Sequence, residues 1–520
     1  MKRIFLQIFI VSLLVQCASP GNPTGGPKDE APPKILQTSP KNGSVNFKDD
    51  EITIVFDEFV KLKDIQKNFM ISPPVDPQPS ILPMGLASKK VSILFKEKLA
   101  PNTTYLINFG ESIVDNNEGN KFGNYQFVFA TGAQIDSLQL QGKVSFNHFE
   151  KQPKRTIVVL YNANDFNDSL VFRKKPYYIA VTDKAGNYKL THLKQGKYRI
   201  FAIADEDGNY QYTPGKEAIA FLDNTIEIPK DTVVNLNIFK EKERFKFGDF
   251  KQLSKNHLTF TYKGLPKYFK IIDTVKLAKK VQFYKNKAYH YWYDTGKDSI
   301  HLVLKTDTYT KQFDKKRKKD IDSLQLIFNR KGKMGILDTL QISGTVPLVS
   351  LDKKKVKFFK NDSIPVNFEQ KLNKKHDFSL FFDKNEGVSY KVTVLPKAAT
   401  DFLGNQNKDT LTTTFKMVKN DTYGTLNIKV KGVDKPYFVE LLNSQNKLVR
   451  KSKTTTNDTL VFKYLSPKKY TVRIVFDDNQ NNKWDTGDYL KHRQAEKTID
   501  FTQPIDVRAN WEVNQVFEVK

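Results

Sequence analysis

The stretches Ile52-Thr53-Ile54-Val55-Phe56, Val91-Ser92-Ile93-Leu94-Phe95, Tyr105-Leu106-Ile107-Asn108-Phe109 and Tyr125-Gln126-Phe127-Val128-Phe129 decide the fold class. β-branched and aromatic residues recur in them at every second position, the period that puts one set of side chains on a single face of a strand. Asn, Gly, Pro and Lys turns separate them. Short strands at such spacing predict antiparallel β-sandwiches. Long 3.6-residue periodicity is scarce, although Lys61–Phe69 has room for a helical turn or two.

Outward from this block the chain repeats itself, which sets the domain organisation. Leu193, Lys197, Tyr198, Asp205, Asn209 and Gly215 recur as Leu465, Lys469, Tyr470, Asp477, Asn481 and Gly487, always 272 residues later. The same offset aligns Val233–Phe239 with Ile505–Trp511, so 135–240 and 421–520 are expected to be copies of one fold. A weaker repeat relates Tyr105, Asp115, Gly119-Asn120 and Phe129 to Tyr390, Asp401, Gly404-Asn405 and Phe415, at offsets of 285–286. It marks further modules at 33–132 and 341–419. The intervening 241–340 matches neither pattern cleanly but carries strands such as Ser299–Leu304 and Ser323–Phe328.

The segments LKQGKYRIFAIAD and LSPKKYTVRIVFD resemble the turn-Tyr-strand of carboxypeptidase-regulatory-like (transthyretin-like) sandwiches. The ending "strand, Asp, Gly-Asn, final strand", together with Ser39-Pro40-Lys41-Asn42-Gly43 and Phe56-Asp57, resembles the bacterial Ig-like domain of the SbsA type. These resemblances imply an all-β chain of tandem sandwiches: Ig-like at 33–132, transthyretin-like at 135–240, Ig-like at 241–340 and at 341–419, and transthyretin-like at 421–520.

The N-terminus reads as an export signal. Lys2 and Arg3 precede the apolar run Ile4–Val15, which is shorter than the roughly 20 residues a membrane-spanning helix needs. It ends Leu14-Val15-Gln16-Cys17, which resembles the lipobox of bacterial lipoproteins, with Gln16 where a small residue is usual. The resemblance implies removal of residues 1–16, a covalent lipid on Cys17 and a flexible tether over 17–32, rich in Gly and Pro. The alternative is an ordinary secretory peptide with an incidental Cys. Lys28-Asp29-Glu30 resembles the Lys-then-acidic surface-export signal of Bacteroidota lipoproteins, and PTGGPKDEAPP before a β-domain resembles their outer-membrane lipoproteins with Ig-like domains. The implied address is the outer membrane, lipid-anchored, at the cell surface.

The rest of the composition narrows the chemistry. Cys17 is the single Cys of 520 residues, which rules out an intramolecular disulfide and any zinc site with two Cys ligands. The net charge is +27; removal of residues 1–16 takes Lys2 and Arg3 and leaves +25. Much of the excess is Lys alternating along strands, as in Leu426–Lys431, where it wets one face and discourages edge pairing. The denser runs Lys311–Lys319 and Lys353–Lys355 suit a solvated loop or an anionic partner, lipid or glycan. The export signal argues against nucleic acid.

Two constellations stand out. In Asp477-Asp-Asn479-Gln-Asn481-Asn-Lys483-Trp-Asp485-Thr-Gly-Asp488, oxygen side chains fall at positions 1, 3, 5, 9 and 12, with the Lys483 carbonyl at 7. This is a spacing by which one loop wraps a calcium ion. The other reading is an Asn/Asp-rich hairpin whose side chains cap their own turns. The earlier copy, Asp205–Lys216, has Lys at position 12, which counts against a full site. Tyr289, Tyr291, Trp292 and Tyr293 form either a sugar-stacking platform or an alternating core strand. HExxH, GxSxG, Walker and GxGxxG patterns do not occur, and the seven His are scattered. The expectation is a non-enzymatic scaffold lipoprotein docking envelope proteins, for instance within an outer-membrane assembly or export complex. A glycan- or ligand-binding surface lipoprotein is the alternative.

Overall fold

A computed structural model describes residues 29–519 apart from 124, 147, 150, 244, 265–267, 274–278, 286–287, 295–298, 308, 317, 321 and 457–458. The expected signal peptide, Cys17 and the part of the expected tether through Lys28 lie outside the described residues. The described chain is tandem β-sandwiches. Its α-helix, Ile65–Asn68, is a single turn. Among the described residues no helix is long and apolar enough to cross a membrane.

In the first sandwich, strands Ile35–Ser39, Glu51–Leu62, Ser88–Leu94 and Ser80–Leu82 lie side by side, with Ile113–Asp115 also paired to Glu51–Leu62. They face Met70–Ser72, Thr104–Asn108 and Gln126–Ala130. The alternation read from the sequence is the packing: Ile52, Ile54, Phe56, Val91, Ile93, Tyr105, Ile107, Phe127 and Phe129 fill one core. Tyr105 is the cross-strand partner of Phe129, and the rings stack 5.3 Å apart. Tyr390 and Phe415 repeat that pair in the fourth sandwich at 5.6 Å. Asp115 and Asp401, the acids of the same weak repeat, are buried turn caps. Asp115 accepts from the backbone N–H of Asn117, Glu118, Gly119 and Asn120, and Asp401 from those of Leu403 and Asn405.

The second and fifth sandwiches share one topology. Tyr178–Val181, Ile157–Asn162, Gly196–Ile203 and Ile219–Phe221 form a sheet, with Ile226–Ile228 also on Gly196–Ile203; it faces Asn187–Leu193, Leu138–Ser145 and Leu236–Asn237. The fifth repeats this with Leu448–Lys451, Tyr437–Leu442, Lys468–Phe476 and Thr498–Val507 against Thr459–Leu465, Gly424–Lys431 and Glu512–Glu518. In each, the last strand pairs parallel to the first. The central Tyr anchors both turns: Tyr198 donates to the Lys194 carbonyl and Tyr470 to the Ser466 carbonyl.

The ends of the two copies do not keep the 272-residue offset. Tyr198 faces Ile226, whereas Tyr470 faces Ile505. Ile505 therefore corresponds to Ile226, not to Val233, and the offset has slipped by seven. Alternating apolar strands look alike at many shifts, so hydrophobic pattern alone could not register them.

The third sandwich pairs Lys246–Ser254, His257–Lys263, Ala288–Asp294 and Lys279–Lys285 against Phe269–Asp273, Ser299–Thr306 and Thr310–Lys316. The expected break after residue 340 cuts strand Leu340–Gly344, which pairs with Leu326–Phe328 and Phe378–Phe382. Leu324, Leu326, Phe328 and Met334 pack into the fourth core. That sandwich therefore begins near residue 323, because burial of these side chains, not the start of the repeat, defines it.

Candidate functional site at the seam of the repeated units

The run Ile157-Val158-Val159-Leu160-Tyr161 is buried at every position, the mark of a strand covered on both faces. Val158 and Leu160 enter the sandwich core of the second unit. Ile157, Val159, Tyr161, Phe201 and Ile203 face the other way. Local side chains cover part of that outer face, among them Val171, Tyr210 and Tyr212; the remaining cover includes Tyr489, from the fifth unit.

Tyr489 is fully buried. Its ring stands edge-on to Phe201 and Phe221, at 5.6 and 5.2 Å. Its N–H donates to Glu241 Oε1 at 2.6 Å and its hydroxyl to Asp168 at 3.3 Å. Burial, with Asp168 beside it, pushes its pKa up, so the hydroxyl stays a donor. Around it Thr486 donates to the Lys240 carbonyl, Gln494 to the Phe221 carbonyl, and His492 Nε2 meets Asp168 Oδ2 at 3.0 Å.

The same strand position serves the opposite side of the seam. Arg473, 272 residues after Phe201, is buried on the outer face of the fifth unit. It holds Asp500 through two nitrogens, at 2.7 and 2.9 Å, and lies 3.6 Å from Glu440. Its Nη1 reaches His148 Nδ1 of the second unit at 3.0 Å. His148 packs edge-on against Trp484, and burial plus the Arg473 charge pull its pKa down to about 4. It is neutral at pH 7, with Nδ1 the acceptor.

The Asp477–Asp488 loop is built into this seam and its oxygens are engaged within the chain. Asp477 is buried and accepts from the N–H groups of Asn481 and Asn482 and from Thr454. Asp485 accepts from the amides of Asn479 and Asn481, each at 2.7 Å, and from Lys242 at 3.0 Å. Those amides and Lys242 hold its pKa down to about 2. Asp488 pairs with Lys491, and Lys483 is exposed at the loop surface. A cation here would have to displace Lys242 and reverse two amides.

Acidic oxygens converge instead in the earlier copy. Asp205, Asp207 and Glu217 each bring one within 4.8 Å of the others, the one such group among the described residues. Arg155 pairs with Asp205 at 3.1 Å. Burial pushes the Glu217 pKa up to about 7, opposed by the N–H groups of Thr213 and Glu206. Glu217 was invisible to the twelve-position loop count because it lies just beyond Lys216, where that count ends.

The aromatic run is core and seam, not an open platform. Tyr291 and Tyr293 are fully buried, and Tyr289 packs on Phe260 and Phe269. Trp292 is buried against Val346 and Phe402 of the fourth unit, with His257 stacked on it at 3.9 Å. Alternation here puts both faces of the strand under cover at Tyr291, Trp292 and Tyr293, with Tyr289 half-buried near its start.

Residues 29–131 match the bacterial Ig-like domain family. No curated protein matches the chain. Solved structures align along most of it at low similarity. The surface layer protein SbsC, domains 1–6, aligns at 12% identity and TM-score 0.15, covering 91% of this chain and 67% of that one. The Bacillus anthracis TIE protein aligns at 13% identity and TM-score 0.13, covering 95% of this chain and 76% of that one. BcpA, the major pilin subunit of Bacillus cereus, aligns at 10% identity and TM-score 0.14, covering 74% of this chain and 99% of that one.

Proposed function

We propose that the chain is a non-enzymatic scaffold of the bacterial envelope. It is anchored to the outer membrane by a lipid on Cys17, faces outward and docks other envelope proteins, as an accessory subunit of an assembly or export complex would. The seam carries this reading. Tyr489 on Phe201 and Arg473 on His148 tie the fifth unit to the second. The third and fourth units are thereby held in a closed loop instead of strung on linkers. A braced stack holds a docking surface at a set distance and angle from the bilayer, which separate modules on flexible joints cannot do. Sandwiches of this kind serve many functions, so the partner has to be identified directly. Affinity purification from gently solubilised envelopes should recover a membrane β-barrel in stoichiometric amount, and metabolic palmitate labelling should be lost in Cys17→Ser.

A glycan-binding lipoprotein is the second reading, and one cleft favours it. A depression of about 760 Å³ in the fifth unit is lined by Tyr423, Tyr464 and Trp511 beside Asn427 and Asn514. Trp511 is largely exposed, and aromatic faces next to amides suit a sugar ring. Retention on polysaccharide with no protein recovered would replace the first reading by this one.

A further inference from the structure

One end of the first sandwich carries large apolar side chains with no cover. Strands Ser80–Leu82 and Ser88–Leu94 are neighbours in the sheet, joined through 83–87. Leu82, Met84 and Leu86 on this hairpin are 45, 64 and 72% exposed, and Phe59 on the strand next to it is 55% exposed. Single exposed apolar residues need no explanation, but three large ones on one hairpin tip beside a fourth on the adjacent strand do.

The sheet register shows where this tip stands. Val60 faces Ser88, Val55 faces Lys90, and Ile35 faces Phe56. The hairpin end and the beginning of the first strand are therefore at the same end of the sheet. The strand order separates them by two to three spacings, about 10–14 Å. Residues before Ile35 are held at that end too: Lys34 N–H donates to Asp57 Oδ1 at 2.8 Å, and Asn120 donates to the Asp29 carbonyl at 2.8 Å. The chain leading back to Cys17 thus leaves from the end that presents the apolar tip. Asp29 lies twelve positions after Cys17, a reach of roughly 40 Å when extended, so the tether allows close approach to a bilayer but does not enforce it.

We propose that the 82–86 tip, with Phe59, is a second membrane contact: it dips into the lipid interface and orients the stack on the surface. The proposal rests on the lipid anchor at Cys17. Apolar side chains of this size gain most by leaving water at the headgroup–acyl boundary, and one weak insertion becomes effective once a tether keeps it near. Lys89 lies over Phe59 at 5.7 Å, at the base of the hairpin, where a headgroup phosphate would stand. On the other side of this end Glu58 faces Asp29, Asp57, Asp115 and Glu118. Acidic headgroups repel that side, which leaves the hairpin as the leading edge.

The test uses the chain from residue 17 on, with Cys17→Ser and a polyhistidine tag for attachment to nickel-chelating lipid in phosphatidylethanolamine–phosphatidylglycerol vesicles. Cys17 is the only native thiol, so Met84→Cys accepts an environment-sensitive fluorophore at one place. Emission at position 84 should rise at least twofold and shift to the blue on vesicle attachment. The same probe at Val461→Cys, exposed in the fifth unit, should not change. Leu82→Ser with Leu86→Ser should abolish the response at 84 while thermal melting shows the fold intact. Equal responses at 84 and 461, or an undiminished response in the Ser variant, overturn the proposal. The artificial tether makes this outcome independent of acylation, which the palmitate labelling decides separately.

Discussion

Tyr489 stands at 89° to Phe201, ring centroids 5.6 Å apart, although the two side chains belong to different copies of the repeat. At the position equivalent to Phe201 the second copy carries Arg473, whereas Tyr489 lies in the seven residues by which the second copy is longer: Glu217, which accepts from the Thr213 N–H, is matched by Glu496, which accepts from the Asp485 N–H. Duplicated strands have thus diverged into two halves of one contact. One half is aromatic, and the other is an ion-pair network with His148 across the seam.

Tyr489→Ala should open that contact. Removing a fully buried aromatic costs about 3–5 kcal/mol, here falling on the seam more than on any one core. The expected result is a new low-temperature transition in calorimetry and faster hydrogen exchange at 157–161. Tyr489→Phe keeps the packing and loses only the hydroxyl bond to Asp168, so its cost should be about 1 kcal/mol.

Two groups at or near the seam titrate in opposite senses between pH 4 and 7. His148 is held down to about 4, so unfolded chains take up a proton that folded chains refuse, and stability falls as pH drops from 6.5 to 4. Glu217 is held up to about 7 from 4.5, so folded chains keep a proton longer, and stability falls as pH rises from 4.5 to 7. Each shift corresponds to at most about 3 kcal/mol, and the two largely cancel. His148→Gln should make stability fall more steeply with rising pH over this window. Glu217→Gln should make it fall more steeply with acid. Urea midpoints at half-unit pH steps would read both slopes; unchanged slopes in both variants would refute the assignment.

Asp115→Ala removes an acceptor for four backbone N–H groups. Burial raises the carboxyl pKa, but those bonds outweigh it and leave the pKa below its ordinary value. The folded pKa is depressed, so the stabilisation is present above the usual carboxylate range and is lost as pH falls through the folded value. The variant should lose about 1–3 kcal/mol at pH 7 and show weaker acid sensitivity in the first unit. Asp115→Asn should recover part of this, as it keeps one acceptor oxygen.

Calcium separates the two readings of the Asp477–Asp488 loop. As folded, Asp485 is paired with Lys242 and hydrogen-bonded by two amides, so millimolar calcium or chelator should leave the melting temperature of wild type unchanged. A rise abolished by Asp477→Ala would show instead that the loop rearranges around the ion.

Much of the fold was legible because it is local. Period-two runs such as Ile52–Phe56 and Tyr125–Phe129 name their own inward faces, and the turns in which Asp115 and Asp401 precede Gly119-Asn120 and Gly404-Asn405 announce their caps. The candidate site was less legible. The Asp477 loop stood out as polar and metal-like, but its Asp485 oxygens are taken by Lys242, from another unit 243 residues away, and by neighbouring amides. Tyr289–Tyr293 read equally as platform or core, since alternation says which side chains share a face and not whether that face is covered.

The sequence by itself determined the strands, their number of modules to within a boundary, the relation between the second and fifth units and the distinctive Cys17. These follow from short-range pattern and repetition. Only the tertiary structure decided that Phe201 and Tyr489 meet, that residues 323–340 belong with the fourth core, and that Met84 and Leu86 stand uncovered at the end where Asp29 and Lys34 are held. Each depends on which surface finds a partner across the fold, and burial is a property of the assembled molecule that no single strand's pattern contains.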